Sequence, residues 1–208
     1  MGRRTRDLVK MRAETCLQCL GLCVVLLTAA PMGWTETMSQ EAHEVIQRLD
    51  DRDLYLRQQA FLRLEALREP ATGAVVRQHL SSRNIRTRSF SARALAAIEG
   101  STAAPVLIER LKRDRSPVVR TAVLLALEPL KHQHPDIIPA FIESLRDRHK
   151  DVRIAAVDVV SRIDRPEARE AVKRRWRRER NRDVRRVLET AMERLGEPTG
   201  RTDKRSDG

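Results

Sequence analysis

The 208-residue chain carries 41 Lys/Arg against 29 Asp/Glu, a net charge of +12, with eight glycines, one tyrosine and 3% aromatic residues. It contains no Gly-rich phosphate loop, no nucleophile elbow and no H-E-x-x-H pattern, which leaves enzyme chemistry few places to reside. All three cysteines, Cys16, Cys19 and Cys23, precede residue 39, which excludes cysteine nucleophiles, cysteine metal sites and disulfides from the rest.

Residues 1–38 begin with Arg3, Arg4, Arg6, Lys10 and Arg12 and continue in an apolar run from Leu17 to Ala30. That is the layout of a secretory signal peptide, with Thr28 and Ala30 as small residues near a cleavage point. Pro31, directly after Ala30, opposes cleavage there. Cleavage a few residues on and retention as a short N-terminal membrane anchor both stay open, as do Met1 and Met11 as the start. Either way, basic residues ahead of the run predict export: the remainder is periplasmic, or tethered to the inner membrane outside the cytoplasm.

From about residue 39 one phrase recurs: "DLYLRQQAFLRLEAL" at 53–67, "SPVVRTAVLLALEPL" at 116–130 and "HKDVRIAAVDVVSRI" at 149–163. Anchored on its arginine, it is present in five copies, at Arg57, Arg88, Arg120, Arg153 and Arg185, spaced 31, 32, 33 and 32 residues apart. Apolar residues follow seven positions later, at Leu64, Leu95, Leu127, Val160 and Met192. Others follow after ten, at Leu67, Ile98, Leu130, Ile163 and Leu195. One position before the arginine stand Leu56, Thr87, Val119, Val152 and Val184. At about 100° per residue these offsets converge on one side of a helix. Each phrase is therefore a helix with one buried stripe.

A preceding helix is marked by Val45, Val76, Leu107, Phe141 and Val172 and, about a turn later, by Leu49, Leu80, Leu111, Leu145 and Trp176. Pro70, Pro105, Pro135 and Pro166 punctuate the pairs at first turns or connections. Four residues before each arginine sit Asp53, Asn84, Ser116, His149 and Asn181, of which all but His149 are good N-caps. A helical pair of this size cannot bury its apolar face alone, so neighbouring copies supply the core. The predicted fold is all-α: an α-solenoid of about five helical hairpins, about ten helices, over residues 39–196. The polar stretch 197–208, "EPTGRTDKRSDG", reads as a disordered tail.

The copies resemble the HEAT-like repeats first associated with phycobilisome lyases, whose second helix reads roughly acidic-x-acidic-x-x-Val-Arg-x-x-Ala-x-x-x-Leu. Six positions before each arginine the chain has Asp51, Ser82, Asp114, Asp147 and Glu179. The resemblance implies an architectural role for Arg57, Arg88, Arg120, Arg153 and Arg185, each paired with an acidic residue of the stack. Asp51, Asp114, Asp147 and Glu179 are the partners on offer. It says almost nothing of function, because such repeats serve enzymes, scaffolds and nucleic-acid binders alike.

Without residues 1–33 the chain keeps 36 basic and 27 acidic residues, and residues 165–194 alone hold twelve basic and six acidic. Lys173, Arg174, Arg177, Arg178, Arg180 and Arg182 form a candidate polyanion patch around Trp176, which takes a core leucine position. A solubilising polar cap explains the same charges. If the patch binds, an acidic protein or anionic lipid is favoured over nucleic acid, and salt weakens the contact. Opposite the buried stripe, offsets of one, five and eight predict a concave ridge of Gln58, Leu62, Glu65, Ser89, Arg93, Thr121, Leu125, Glu128, Ile154, Asp158 and Arg186. It exposes Leu62, Leu125 and Ile154. Mixed signs among apolar side chains suit a protein partner better than a phosphate track. His132 and His134 form the one histidine cluster, in a turn and without a carboxylate pair, which is a weak metal motif.

The reading at this level is a noncatalytic, exported scaffold that presents its concave face to another protein. It needs no cofactor, metal or small-molecule substrate. A polyanion binder and an accessory subunit resembling the bilin lyases are the alternatives.

Overall fold

The computed structural model describes residues 38–198, and within them ten α-helices follow one another with no strand. The expected leader (1–38) lies outside them, except for Met38, and so does the tail from residue 199. The helices pair as α1 (Gln40–Ile46) with α2 (Leu54–Leu67), α3 (Gly73–His79) with α4 (Ile85–Glu99), and α5 (Ala104–Arg113) with α6 (Pro117–Leu127). The series continues with α7 (Ile137–Ser144) and α8 (Lys150–Val160), then α9 (Pro166–Arg178) and α10 (Arg182–Arg194).

Second helices pack on second helices, α2 on α4, α4 on α6, α6 on α8 and α8 on α10, while α5, α7 and α9 line up as a layer of first helices. The core runs between the layers. Leu64, Leu95, Leu127 and Val160 are buried on the second helices, facing Val76, Leu107, Phe141 and Val172 from the first. Leu56 departs from the expected stripe: it is 38% exposed, although Thr87, Val119, Val152 and Val184 at the same offset are buried. The unit before supplies the cover at this position, and no described unit precedes the first.

Asp53, Asn84 and Asn181 cap α2, α4 and α10 through their side chains as expected. Ser116 makes no capping bond. Pro117 at the first position of α6 supplies a helical φ there, and the Ser116 N–H donates to Asp114 Oδ1 at 2.9 Å. His149, not expected as a cap, takes the role at α8, where its ring accepts from the Asp151 N–H. The last helix ends in a Schellman motif: Gly196 sits at φ 68°, its N–H donates to Glu193 O, and the Glu197 N–H donates to Met192 O. Glu197 is thus held by the last helix.

Leu127 is fully buried in the middle unit. Leu127→Ala is expected to cost about 2 to 5 kcal/mol in urea unfolding. A loss below about 0.5 kcal/mol would contradict the packing register.

Candidate functional site

Three of the five repeat arginines, Arg88, Arg120 and Arg153, form a ladder. Arg88 donates from Nε to Asp114 Oδ2 at 2.9 Å and from a terminal nitrogen to Oδ1 at 3.1 Å. Arg120 does the same to Asp147, both bonds at 2.7 Å, and Arg153 to Glu179 at 3.0 and 3.4 Å. In each pair the arginine belongs to one unit and the carboxylate to the next. The remaining nitrogen of each turns back on its own unit, donating to Ser82 O, Asp114 O and Asp147 O at 2.8 to 2.9 Å. The carboxylates also accept backbone N–H groups at the entry to the following helix, from Ser116, His149 and Asn181.

The ladder is buried: the Arg120 side chain is 3% exposed and that of Asp114 2%. Burial pushes the Asp114 and Asp147 carboxyls up, but the arginine hydrogen bonds, the backbone N–H donors and the adjacent positive charges together hold both below the ordinary aspartate value. For Glu179 the same opposition ends lower. Desolvation is outweighed by the Asn181 N–H and by hydrogen bonds from Arg175 and Arg153, and its pKa falls from 4.5 to about 2.

Both ends depart from the pattern. Ser82 stands where Arg57 needs a carboxylate, and the buried Arg57 Nε has no hydrogen-bond partner. Asp51, expected as a partner for a repeat arginine, accepts instead from the Asp53 N–H at 2.8 Å, having no described unit before it. Arg185, with no unit after it among the described residues, lies 4.5 Å over the Trp176 ring. Trp176 is half-buried against the core, as its leucine-equivalent position predicts.

The expected concave ridge is only partly a ridge. Ser89 is buried, its hydroxyl donating to Ile85 O at 3.0 Å, and Leu62 and Ile154 are half-buried where exposure was expected. Leu125, 47% exposed, fits the expectation. Glu65 and Arg93 pair at 3.3 Å, Glu128 pairs with Arg162 at 3.2 Å, and Asp158 with the same Arg162 at 2.7 Å. Gln58 is half-buried and Arg186 exposed.

Five of these residues, Glu65, Ser89, Arg93, Thr121 and Leu125, come together in a groove of about 840 Å³ between α4 and α6. Its remaining wall includes Phe90, Val118 and a set of small residues, Ala97, Ala122 and Ala126, none of which was singled out in the sequence. The signal was available: alanines on the facing sides of two consecutive second helices leave the space that leucines would fill. Asp158 and Arg186 line a separate hollow of about 280 Å³ between α8 and α10.

In the basic patch Arg174, Arg177, Arg178, Arg180 and Arg182 are exposed, and their side chains have no hydrogen-bond or ion-pair partner among the described residues. Lys173 does not belong with them. Its Nζ lies 2.6 Å from Glu197 and 3.2 Å from Glu170, so its charge is already answered. Among the described residues no group of three or more His, Cys, Asp or Glu side chains is placed to hold a metal, and the His134 ring accepts from the Asp136 N–H at 3.3 Å. No helix among them is long and apolar enough to cross a membrane.

The model of HEAT repeats matches residues 42–128 and 130–193, nearly all of the described stack. The chain belongs to the HEAT-repeat family. This HEAT-repeat chain is similar in fold to a solved structure from Nostoc sp. PCC7120, the complex of CpcE and CpcF of phycocyanin lyase. The TM-score is 0.61 at 21% identity, over 73% of this chain and 97% of that one. No curated protein matches it. The stack has the HEAT-repeat scaffold fold, and Arg88, Arg120 and Arg153 make the arginine–carboxylate pairs that the resemblance implied, whereas Arg57 and Arg185 do not.

Asp147→Asn leaves the buried Arg120 facing a neutral amide and is expected to cost about 3 to 5 kcal/mol in chemical denaturation. Ser82→Asp, which offers Arg57 the missing carboxylate, is expected to raise stability by roughly 1 kcal/mol. A drop on that substitution would show that Arg57 is not the next rung. Because the folded-state pKa of Glu179 is depressed, its contribution is complete above pH 4.5 and is lost as the pH falls toward about 2. Thermal melts of Glu179→Gln are therefore expected to vary less with pH across that window than those of the unaltered chain.

Proposed function

We propose that this chain is a noncatalytic HEAT-repeat subunit that holds a segment of another protein in the groove between α4 and α6. The groove itself supports the reading most directly. Its lining draws on three consecutive units, it exposes Val118 and Leu125 at 57% and 47%, and the Glu65 and Arg93 ion pair lines it. Exposed apolar side chains inside a rim of mixed charge are what a protein segment can bury, with the charges setting its register. Nothing in the groove lining resembles a nucleophile paired with a base. Of the carboxylates with depressed pKa, Asp114, Asp147 and Glu179 are engaged by arginine in the ladder, and Glu69 and Asp183 are held by Ser39 and Lys150; none of them lines the groove.

A second reading is supported by the fold likeness to a chain from a two-component phycocyanin lyase complex. On this reading the chain is an accessory subunit of a bilin-handling assembly, and the groove receives its companion subunit. Co-expression with bilins separates the two. A tight or covalent bilin adduct favours the accessory role, and its absence in the presence of a bound protein partner favours the plain scaffold. Export, which the basic residues and apolar run of residues 1–30 support, belongs to the same proposal. Digestion of a C-terminally tagged form in intact spheroplasts is expected, and protection until the inner membrane is opened would remove it.

A photo-crosslinking residue at position 125 is expected to give a discrete protein adduct in the native host, whereas the same residue at position 169, on the outer side of α9, gives none. Leu125→Glu combined with Val118→Glu is expected to weaken binding of the captured partner by roughly a hundredfold while leaving the melting temperature nearly unchanged. Adducts of equal yield from both positions would overturn the groove as the docking site.

A further inference from the structure

On the layer of first helices, α7 and α9 leave a hollow of about 200 Å³ that the groove reading does not use. Its floor is apolar: Leu145 and Ala171 are buried and Ile142 is half-buried. Its rim is Arg146, Arg174, Arg175 and Arg178, and no carboxylate lines it. Arg175 is taken, with its guanidinium on Glu179. The other three have side chains with no hydrogen-bond or ion-pair partner among the described residues.

Neighbouring acids are committed elsewhere. Glu143 pairs with Lys112 at 2.8 Å, Glu170 with Lys173 at 3.2 Å, and Glu179 with Arg153 and Arg175. Cations near the end of α9 complement its dipole, a role that Arg175, Arg177 and Arg178 fill. That role does not call for Arg146, from the unit before, over the same apolar floor. Two units therefore supply three unanswered charges around one small apolar depression.

We propose that this hollow binds an acidic peptide segment of a partner protein. The segment sets one apolar side chain on Ile142, Leu145 and Ala171 and places its carboxylates on Arg146, Arg174 and Arg178. Planar guanidinium forks match carboxylates bidentately, and the floor adds a contact that only a protruding side chain can make. A membrane surface meets the arginines but does not reach a recessed floor. A nucleic-acid strand finds no aromatic side chain in the lining on which to stack a base. The site lies on the opposite layer from the groove, so the two readings stand or fall separately.

The test is fluorescence anisotropy on the whole chain with a labelled pentapeptide that carries a central leucine between paired glutamates. A version with serine for leucine is the control. Binding is expected to weaken with salt. It is expected to fall roughly tenfold or more in the double variant Arg146→Glu and Arg174→Glu, and to change less than about twofold in Arg182→Glu, outside the hollow. The serine peptide is expected to bind several-fold more weakly. Equal loss in Arg182→Glu, or equal affinity for the serine peptide, would overturn the site in favour of a diffuse basic surface. So would loss of binding to phosphatidylglycerol vesicles or a single-stranded oligonucleotide in the double variant while peptide binding survives. Circular dichroism checks folding. If the charge reversals unfold the chain, Arg146→Gln with Arg174→Gln carries the same test.

Discussion

In the three inner repeats the arginine, Arg88, Arg120 or Arg153, holds two parts of the stack at once. Its Nε and one terminal nitrogen clamp the carboxylate of the next unit, while its other nitrogen holds the carbonyls of its own inter-helix turn. One side chain thereby fixes both the geometry of the hairpin and the distance to its neighbour. The carboxylate is equally committed, since it also caps the entry to its own second helix. Taking these charges out of water is costly, and the cost is offset because all three guanidinium nitrogens and both carboxylate oxygens are engaged. The interaction therefore sets the register more than it adds stability, and an apolar replacement could not do the same.

Where the ladder is complete, each rung ties one second helix to the next unit, and what lies between the second helices depends on side-chain size. Between α4 and α6 the facing positions are alanines, and a groove remains. Between α8 and α10 the cleft is narrower, and Arg194 reaches across it to the Ser161 hydroxyl at 2.8 Å. The two faces thus differ in chemistry for a physical reason. The second-helix face is shaped by small residues and paired charges. The first-helix face near the end of the stack collects three arginines, Arg146, Arg174 and Arg178, that no acid among the described residues answers.

The ends of the stack show the same rule by breaking it. Arg57 has a serine where its partner should be, Asp51 has no arginine among the described residues, and Leu56 is exposed where its counterparts are buried. At the other end Arg185 stacks on Trp176, substituting the face of an aromatic ring for the absent carboxylate, while the Schellman turn and the Lys173 contact to Glu197 close the last helix. A solenoid unit is defined by its neighbours, so its first and last copies are structurally unlike those between them.

The fold was legible from the sequence because a stacked repeat writes its rules locally. The 3.6-residue period marked each buried stripe, the regular arginine spacing marked the units, and the acidic position six residues earlier marked the other half of each ladder rung. The pairing direction, from one unit forward to the next, could not be read, because a spacing near 32 residues is compatible with a partner in the same unit or in either neighbour. Tertiary structure alone also decided which polar residues are free. Lys173 and Arg174 are adjacent in sequence and alike in charge, yet one faces Glu197 and the other opens onto a hollow shared with Arg146. The groove and the hollow are spaces between helices from different units, and their size is set by what meets across the interface. The sequence by itself determined the repeat, its helices and its core. Only packing decided which surfaces remain for a partner, because exposure is a property of what neighbouring units leave uncovered.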